Sequence, residues 1–167
     1  ATNLFYTAVE HRLQLEYYLG RFVSEKPDNV VMAILLLSAA QLLYMDKIPD
    51  FAVVNEAAKL TRSFGFEGQT GFVNGVLRSF ARARDAGELV PPDEVEHPVA
   101  HLSIVHSMPE ALIERLIAAH GLEFTRAMLA FTPDGHSETI RPNFARYTPE
   151  RFETYLQGRG WDYEKTP

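Results

Sequence analysis

The side chains of this sequence best suited to chemistry are cations that repeat at the spacing of an α-helix. Arg78 and Arg82 lie four residues apart and follow Asn74 at the same interval, so all three fall on one helix face. Guanidinium and ammonium groups in such a row can bind phosphates, which makes RNA the ligand to consider. The candidate RNA-binding residues of this segment and the one before it are Lys59, Arg62, Arg78, Arg82 and Arg84.

The same pattern is also typical of a polar helix face that contacts only water. Basic residues in the last turns of a helix favour its negative end without any ligand. Arg84 is a special case, since it projects onto the edge of the apolar arc of its helix. It must lie past the packed portion or extend its head group beyond it. On pattern alone, a solvated face and an RNA contact both remain open.

The overall charge limits how large a basic surface can be. The chain has 16 lysines and arginines against 22 aspartates and glutamates, a net charge of −6. This balance argues against a broadly cationic surface. Of residues 1–50, 51–90 and 91–167, only the middle segment is net positive, with five bases against four acids. The predicted nucleic-acid surface is therefore a local one.

Composition excludes several other classes of site. The sequence has no cysteine, so disulfides, thiolate metal sites and cysteine nucleophiles cannot form within it. The longest apolar run, residues 30–40, is shorter than the roughly 20 residues of a membrane span. We therefore expect no membrane partner and a cytoplasmic location.

Three polar residues beside the apolar positions are expected to have structural roles. Asn55 and Asn74 are mediocre helix formers, so their amides are predicted to hold buried backbone or neighbouring helix ends. Glu56 is interpreted as a partner for an arginine of the next helix, Arg78 being the candidate.

A histidine metal site is an alternative that the spacing does not favour. His97, His101 and His106 are four and five residues apart, but Pro98 interrupts the first interval. No acidic residue completes an HExxH arrangement. We interpret these histidines as part of a linker, and predict neither a metal site nor a catalytic residue.

Helical periodicity dominates the first ninety residues, which predict a helical bundle. Asp28 is a candidate N-cap, and Gly65 and Gly87 are placed to end helices. The third predicted helix has an apolar face of Val53, Ala57, Leu60 and Phe64, and the fourth has Phe72, Val73, Val76, Leu77 and Phe80. The predicted helices cover residues 2–24, 29–45, 50–63 and 69–86.

The rest of the chain is predicted to contain a linker and a connector. Residues 91–106 belong to a segment rich in proline and acidic residues, and are expected to form the linker. Ser107 then caps a helix ending near Ala119, and another helix spans residues 122–131. A turn at 132–137, a strand at 139–145, a helix from Thr148 and a strand at 161–165 complete the connector, residues 107–167. The predicted fold class is mainly α, with the start of an α+β subdomain.

Three motifs in this order resemble the NusB-like helical domain. They are residues 34–44 (ILLLSAAQLLY), 48–57 (IPDFAVVNEA) and 71–78 (GFVNGVLR). Arginine at position 78 resembles the version of this domain that is fused to rRNA cytosine methyltransferases of the Fmu/Sun family. Residues 107–121 (SMPEALIERLIAAHG), 139–143 (TIRPN) and 148–160 resemble the connector that precedes the catalytic domain in that family.

The resemblance implies an RNA-binding and docking region of a small-subunit rRNA 5-methylcytosine methyltransferase. Its implied partners are small-subunit ribosomal RNA and the protein's own C-terminal methyltransferase domain. That domain is expected to hold S-adenosylmethionine, whereas this chain has neither the cysteine nucleophile nor a glycine-rich loop after a strand. The alternative is a free-standing NusB-type antitermination factor that binds RNA and a ribosomal protein.

Overall fold

Every regular element in the described part of the chain is a helix. The computed structural model describes residues 2–131 and 139–164, and the predicted mainly α class is confirmed. A 3₁₀ turn at Glu67–Gln69 precedes the fifth α-helix. In chain order the α-helices are α1 (Thr2–Glu10), α2 (Arg12–Gly20), α3 (Asn29–Tyr44), α4 (Asp50–Ser63), α5 (Thr70–Asp85), α6 (Pro98–Val105), α7 (Glu110–His120), α8 (Leu122–Ala130) and α9 (Pro149–Gly158).

Helix α3 is the centre of the bundle. It packs against α1, α2, α4 and α5, which explains why its sequence is apolar on nearly every side. Its start is fixed as predicted, because the Asp28 carboxylate accepts a hydrogen bond from the Val30 N–H at 2.8 Å. The fully buried Val31 and Leu35 extend from it into the core.

Helices α4 and α5 form a hairpin, and each helix ends just before the glycine that was predicted to end it. Gly65 and Gly87 have φ values of +83° and +68°, a conformation that glycine adopts without strain. The predicted apolar face of α5 is buried except at its edge, where Phe72 is 37% exposed. On α4 the predicted face is wrong in part. Leu60 and Phe64 are exposed, and the positions buried beside Val53 and Ala57 are Val54, Ala58 and Thr61.

The first predicted helix is in fact two helices that meet at His11. The imidazole of His11 stacks on the ring of Tyr44, with centroids 4.1 Å apart. The Leu13 N–H donates to the Ser107 hydroxyl at 2.8 Å. A serine 94 residues away thus satisfies a donor in the first turn of α2.

The predicted linker and the predicted cap of α7 are both corrected. Residues 98–105 form helix α6, which begins at Pro98 and packs against α2. Ser107 does not cap α7, whose N-cap is Pro109 with no side-chain hydrogen bond. The backbone of Ser107 has a φ of +52°, and its hydroxyl points instead to α2.

Removing the Ser107 hydroxyl is expected to destabilise the bundle. We expect Ser107→Ala to lower the free energy of unfolding by about 1 kcal/mol, because the Leu13 N–H loses its acceptor. Urea denaturation followed by circular dichroism measures the loss. Ser107→Asn keeps an oxygen acceptor and tolerates positive φ, so it should retain more stability than Ser107→Ala. Equal stability of Ser107→Ala and the wild type would show that this cap contributes nothing.

The C-terminal segment contains a helix but no strand within its described residues. Residues 139–145 and 161–164 are irregular, so the prediction of a strand in each place is wrong. The turn predicted at 132–137 and residue 165 lie outside the described residues. Helix α9 begins as predicted, with the Thr148 hydroxyl accepting from the Arg151 N–H at 3.4 Å.

The chain divides into two compact units, Ala1–Phe131 and Thr132–Pro167. The first unit contains the bundle together with α6, α7 and α8, so the boundary lies later than the one predicted near residue 90. The second unit contains α9. No helix of the described ranges is both long and apolar enough to cross a membrane.

Candidate RNA interface

The α4–α5 hairpin presents its basic side chains because its opposite face is buried. Val73, Leu77 and Phe80 of α5 have no exposed surface, and they anchor this side of the helix in the core. Arg78 and Arg82 consequently project on the outer side, and both are exposed. Arg62 is exposed on α4 in the same way.

The charges of these three arginines are not neutralised within the described part of the chain. The side chains of Arg62 and Arg78 make no hydrogen bond or ion pair there. Arg82 donates from Nη2 to the Ser79 hydroxyl at 3.0 Å, a contact within its own helix that leaves its charge intact. Arginines without a carboxylate partner are available to bind phosphate oxygens bidentately.

Lys59 contributes less to this surface than predicted. Its Nζ lies 2.6 Å from Oε1 of Glu56, one turn away, and both side chains are more than 60% exposed. An exposed pair of this kind is worth about 0–1 kcal/mol, so an anionic ligand can replace Glu56. The interpretation of Glu56 as a partner of Arg78 is wrong, because Glu56 pairs with Lys59.

Arg84 holds three helices together instead of extending into solvent. Its Nη2 lies 2.7 Å from Oδ2 of Asp50, and its Nη1 lies 3.1 Å from Oδ1 of the same carboxylate. Nη1 also donates to the Leu42 carbonyl at 2.7 Å. The end of α5 is thereby tied to the start of α4 and the end of α3.

The surroundings of Arg84 further favour a structural role. The side chain is only 26% exposed, and it also pairs with Asp85 at 2.7 Å. The hydrogen bond with Asp50 is the main cause of the raised pKa of Arg84. The geometry therefore separates Arg84 from the predicted RNA-binding set.

The two asparagines do not have the structural hydrogen bonds predicted for them. Asn55 is exposed on α4, and its amide contacts no polar partner in the described residues. Asn74 is half-buried, and its Oδ1 is buried without a partner within those same residues. The Thr70 hydroxyl, one turn earlier on α5, is in the same situation.

Of the three histidines considered as metal ligands, His101 contacts the backbone and His106 is half-buried. Nδ1 of His101 lies 2.8 Å from the Pro92 carbonyl oxygen. Burial is the main cause of the lowered pKa of His106, and the charge of His101 contributes. Across residues 2–131 and 139–164, no group of three or more histidine, aspartate or glutamate side chains is arranged to hold a metal ion.

A second group of exposed cations and rings lies on α9, and sequence reasoning missed it. Tyr147, Arg151, Tyr155 and Arg159 repeat at intervals of four residues. That repeat is the sequence signal for this group, although the predicted strands and the net negative charge of the region do not indicate a nucleic-acid surface.

These features define the class of protein: an all-helical bundle with a row of uncompensated arginines on one hairpin. Residues 1–82 match the model of the NusB family, and the chain belongs to this family. Arg62, Arg78 and Arg82 lie within the matched residues, and Arg84 lies just beyond them.

The relatives are of two kinds, and the resemblance inferred from the motifs is confirmed. The probable ribosomal RNA small subunit methyltransferase B of Bacillus subtilis is 33% identical over 168 residues, which cover 98% of this chain and 36% of the relative. A protein of the same name from Synechocystis is 27% identical over 85% of this chain and 32% of the relative. The transcription antitermination protein NusB of Lysinibacillus sphaericus is 34% identical over 47% of this chain and 69% of the relative.

The chain thus spans about a third of the length of the methyltransferase relatives. No solved structure matches it at a significant level.

Proposed function

We propose that this chain is the RNA-binding and docking region of a small-subunit rRNA methyltransferase. The observation that carries the proposal is the set of exposed, uncompensated arginines on the α4–α5 hairpin, Arg62, Arg78 and Arg82. Such groups bind the RNA backbone through its phosphates. The similarity to methyltransferase relatives along 98% and 85% of the chain supports ribosomal RNA as the ligand.

A free-standing antitermination factor is the weaker alternative. NusB relatives align with less than half of this chain. Helices α6, α7, α8 and α9 lie beyond the residues that the NusB model matches. The methyltransferase relative from Bacillus subtilis aligns with nearly all of the chain, so it accounts for these helices and the NusB relatives do not.

The docking part of the proposal concerns the methyltransferase domain. Helix α8 packs against α7 and buries Thr125, while three of its large apolar side chains are exposed on a neighbouring face. Phe124, Met128 and Phe131 are 58%, 39% and 72% exposed. An apolar stripe of this kind is typical of a surface that another domain covers. It lies outside the NusB match, which favours a partner specific to the methyltransferases.

S-adenosylmethionine belongs to the proposal only through that separate domain. The described residues contain no strand followed by a glycine-rich loop, and the sequence has no cysteine. The residues present therefore do not fit the cofactor or the nucleophile, and the role proposed for this chain is binding without chemistry. Action on ribosomal RNA would place the protein in the cytoplasm.

Reversing two charges on α5 tests the proposal. In fluorescence anisotropy with a labelled hairpin of small-subunit rRNA, Arg78→Glu with Arg82→Glu is expected to weaken binding at least about tenfold. The slope of log K against log salt should also fall by about 0.7–0.9 for each lost phosphate contact. Circular dichroism verifies that the double variant remains folded.

A control with the same change in net charge separates a local site from general repulsion. Lys26→Glu with Arg115→Glu reverses two cations that are exposed elsewhere in the first unit. We expect this pair to bind nearly as the wild type does. A folded Arg78/Arg82 variant that binds no worse than the control would show that the hairpin arginines only contact solvent.

A further inference from the structure

Tyrosines and arginines alternate along α9 and the residues that flank it. Tyr147, Arg151, Tyr155 and Arg159 are spaced four residues apart; Arg151 and Tyr155 lie within α9, Arg159 is its C-cap and Tyr147 precedes its N-cap. Leu156 is buried and Phe152 is half-buried, and the Phe152 ring meets the Tyr147 ring edge to face with centroids 6.4 Å apart. All four residues of the row are exposed.

The members of this row are paired as ring and guanidinium. The Cζ atom of Arg151 lies 5.7 Å from the centroid of the Tyr147 ring, and the Cζ atom of Arg159 lies 5.3 Å from that of Tyr155. Both distances are within the range of cation–π attraction. Neither arginine has an ion pair with a described residue, so each pair remains positively charged.

The rings are accessible as well as held in place. Tyr147 is 39% exposed and Tyr155 is 44% exposed. A tyrosine side chain loses little rotational freedom on binding, and each of these two is already restrained by its arginine. At 100° per residue, Glu150 and Glu153 project from the other flank of α9, away from the row.

This chemistry selects unpaired nucleotides over a duplex. An aromatic ring or a guanidinium plane stacks on the face of a base, and only unstacked bases offer that face. The arginine charge next to each ring is then placed to contact the phosphate that follows. A double helix would present its phosphates but not its base faces, and the tyrosines would contribute nothing.

We propose that the Tyr147–Arg151–Tyr155–Arg159 row binds single-stranded RNA, with bases stacked on the tyrosines and the backbone held by the arginines. The inference rests on the proposed RNA-binding function and adds a second, separate contact surface to it. It assigns to the second unit a contact that the α4–α5 hairpin does not make.

Trp161 provides a direct signal for this surface. It is the only tryptophan of the chain, is 51% exposed, and follows the end of α9 by three residues. We expect a short oligouridylate to quench its fluorescence when added to the whole chain. An RNA duplex of the same length should quench it much less at equal concentration.

Substitutions separate stacking from charge. Tyr147→Ala with Tyr155→Ala is expected to weaken oligouridylate binding at least about tenfold, whereas the corresponding phenylalanine pair keeps the rings and should bind nearly as the wild type does. Arg151→Gln with Arg159→Gln should lower the salt slope by about 0.7 for each phosphate contact. Gln157→Ala, on another face of α9, is the matched control.

The outcomes distinguish this inference from the proposed function. The α9 inference is overturned if the tyrosine variant binds oligouridylate as tightly as the wild type does, or if the RNA duplex binds as well as the single strand. This holds even where the Arg78/Arg82 variant loses binding to the rRNA hairpin. If the wild-type chain binds neither the rRNA hairpin nor the oligouridylate, both the proposed function and the α9 inference are wrong. Weakening by the tyrosine variant alone supports the α9 row and places the RNA contact there.

Discussion

Replacing Phe80 with alanine is expected to lower the free energy of unfolding by about 3–5 kcal/mol. The ring has no exposed surface and meets Phe22 edge to face, with ring centroids 6.1 Å apart. Truncation removes this contact and leaves a cavity between α5 and the chain that follows α2. Neighbouring side chains can fill such a cavity only in part. Urea denaturation followed by circular dichroism measures the loss.

Phe72→Ala is the matched control for this substitution. It removes the same ring from the same helix, at a position that is 37% exposed. We expect a smaller loss of about 1–2 kcal/mol, because more than a third of this ring is already in contact with water. Equal losses in the two variants would show that α5 does not bury the face that positions Arg78 and Arg82.

The second large effect is expected at Arg84. Arg84→Ala should lower the free energy of unfolding by about 2 kcal/mol, because the Asp50 carboxylate and the Leu42 carbonyl both lose their donor. The Asp50 side chain is 41% exposed, so water compensates for part of the loss. Thermal denaturation monitored by circular dichroism measures the change.

Two variants show whether geometry or charge matters at this position. Arg84→Lys keeps the charge but cannot reproduce the paired hydrogen bonds to Asp50, so it should restore only part of the stability. Arg82→Ala, two residues away and exposed, should change stability by less than about 0.5 kcal/mol. If Arg84→Ala were as harmless as Arg82→Ala, Arg84 would have no structural role and would return to the RNA-binding set.

Local sequence signals predicted the ends of α3, α4 and α5 and the outward arginines of α5. Asp28, Gly65 and Gly87 act through their own backbone and side-chain chemistry, which needs no distant partner. The outward position of Arg78 and Arg82 follows from the apolar residues on the other side of one strongly amphipathic helix.

Features that depend on distant residues could not be predicted in this way. No glycine or proline marks the break between α1 and α2 at His11. The residues that contact the chain there, Tyr44 and Ser107, are distant in the sequence. The prolines and acidic residues just before α6 predict a linker, whereas packing against α2 holds this helix in the bundle. The strands predicted after residue 138 rested on short alternating patterns, which are weak evidence without a neighbouring strand.

The sequence by itself determined the helical class, the family and the row of basic residues, because these depend on periodicity and on motifs within single helices. Only the tertiary structure decided which of those residues remain available to a ligand. Lys59 is paired with Glu56, and Arg84 is committed to Asp50 and the Leu42 carbonyl. Arg62, Arg78 and Arg82 keep their charges free of carboxylates. The Arg84 contacts join three helices, so helical spacing alone cannot specify them, whereas the Glu56–Lys59 pair lies within one helix at spacing i, i+3.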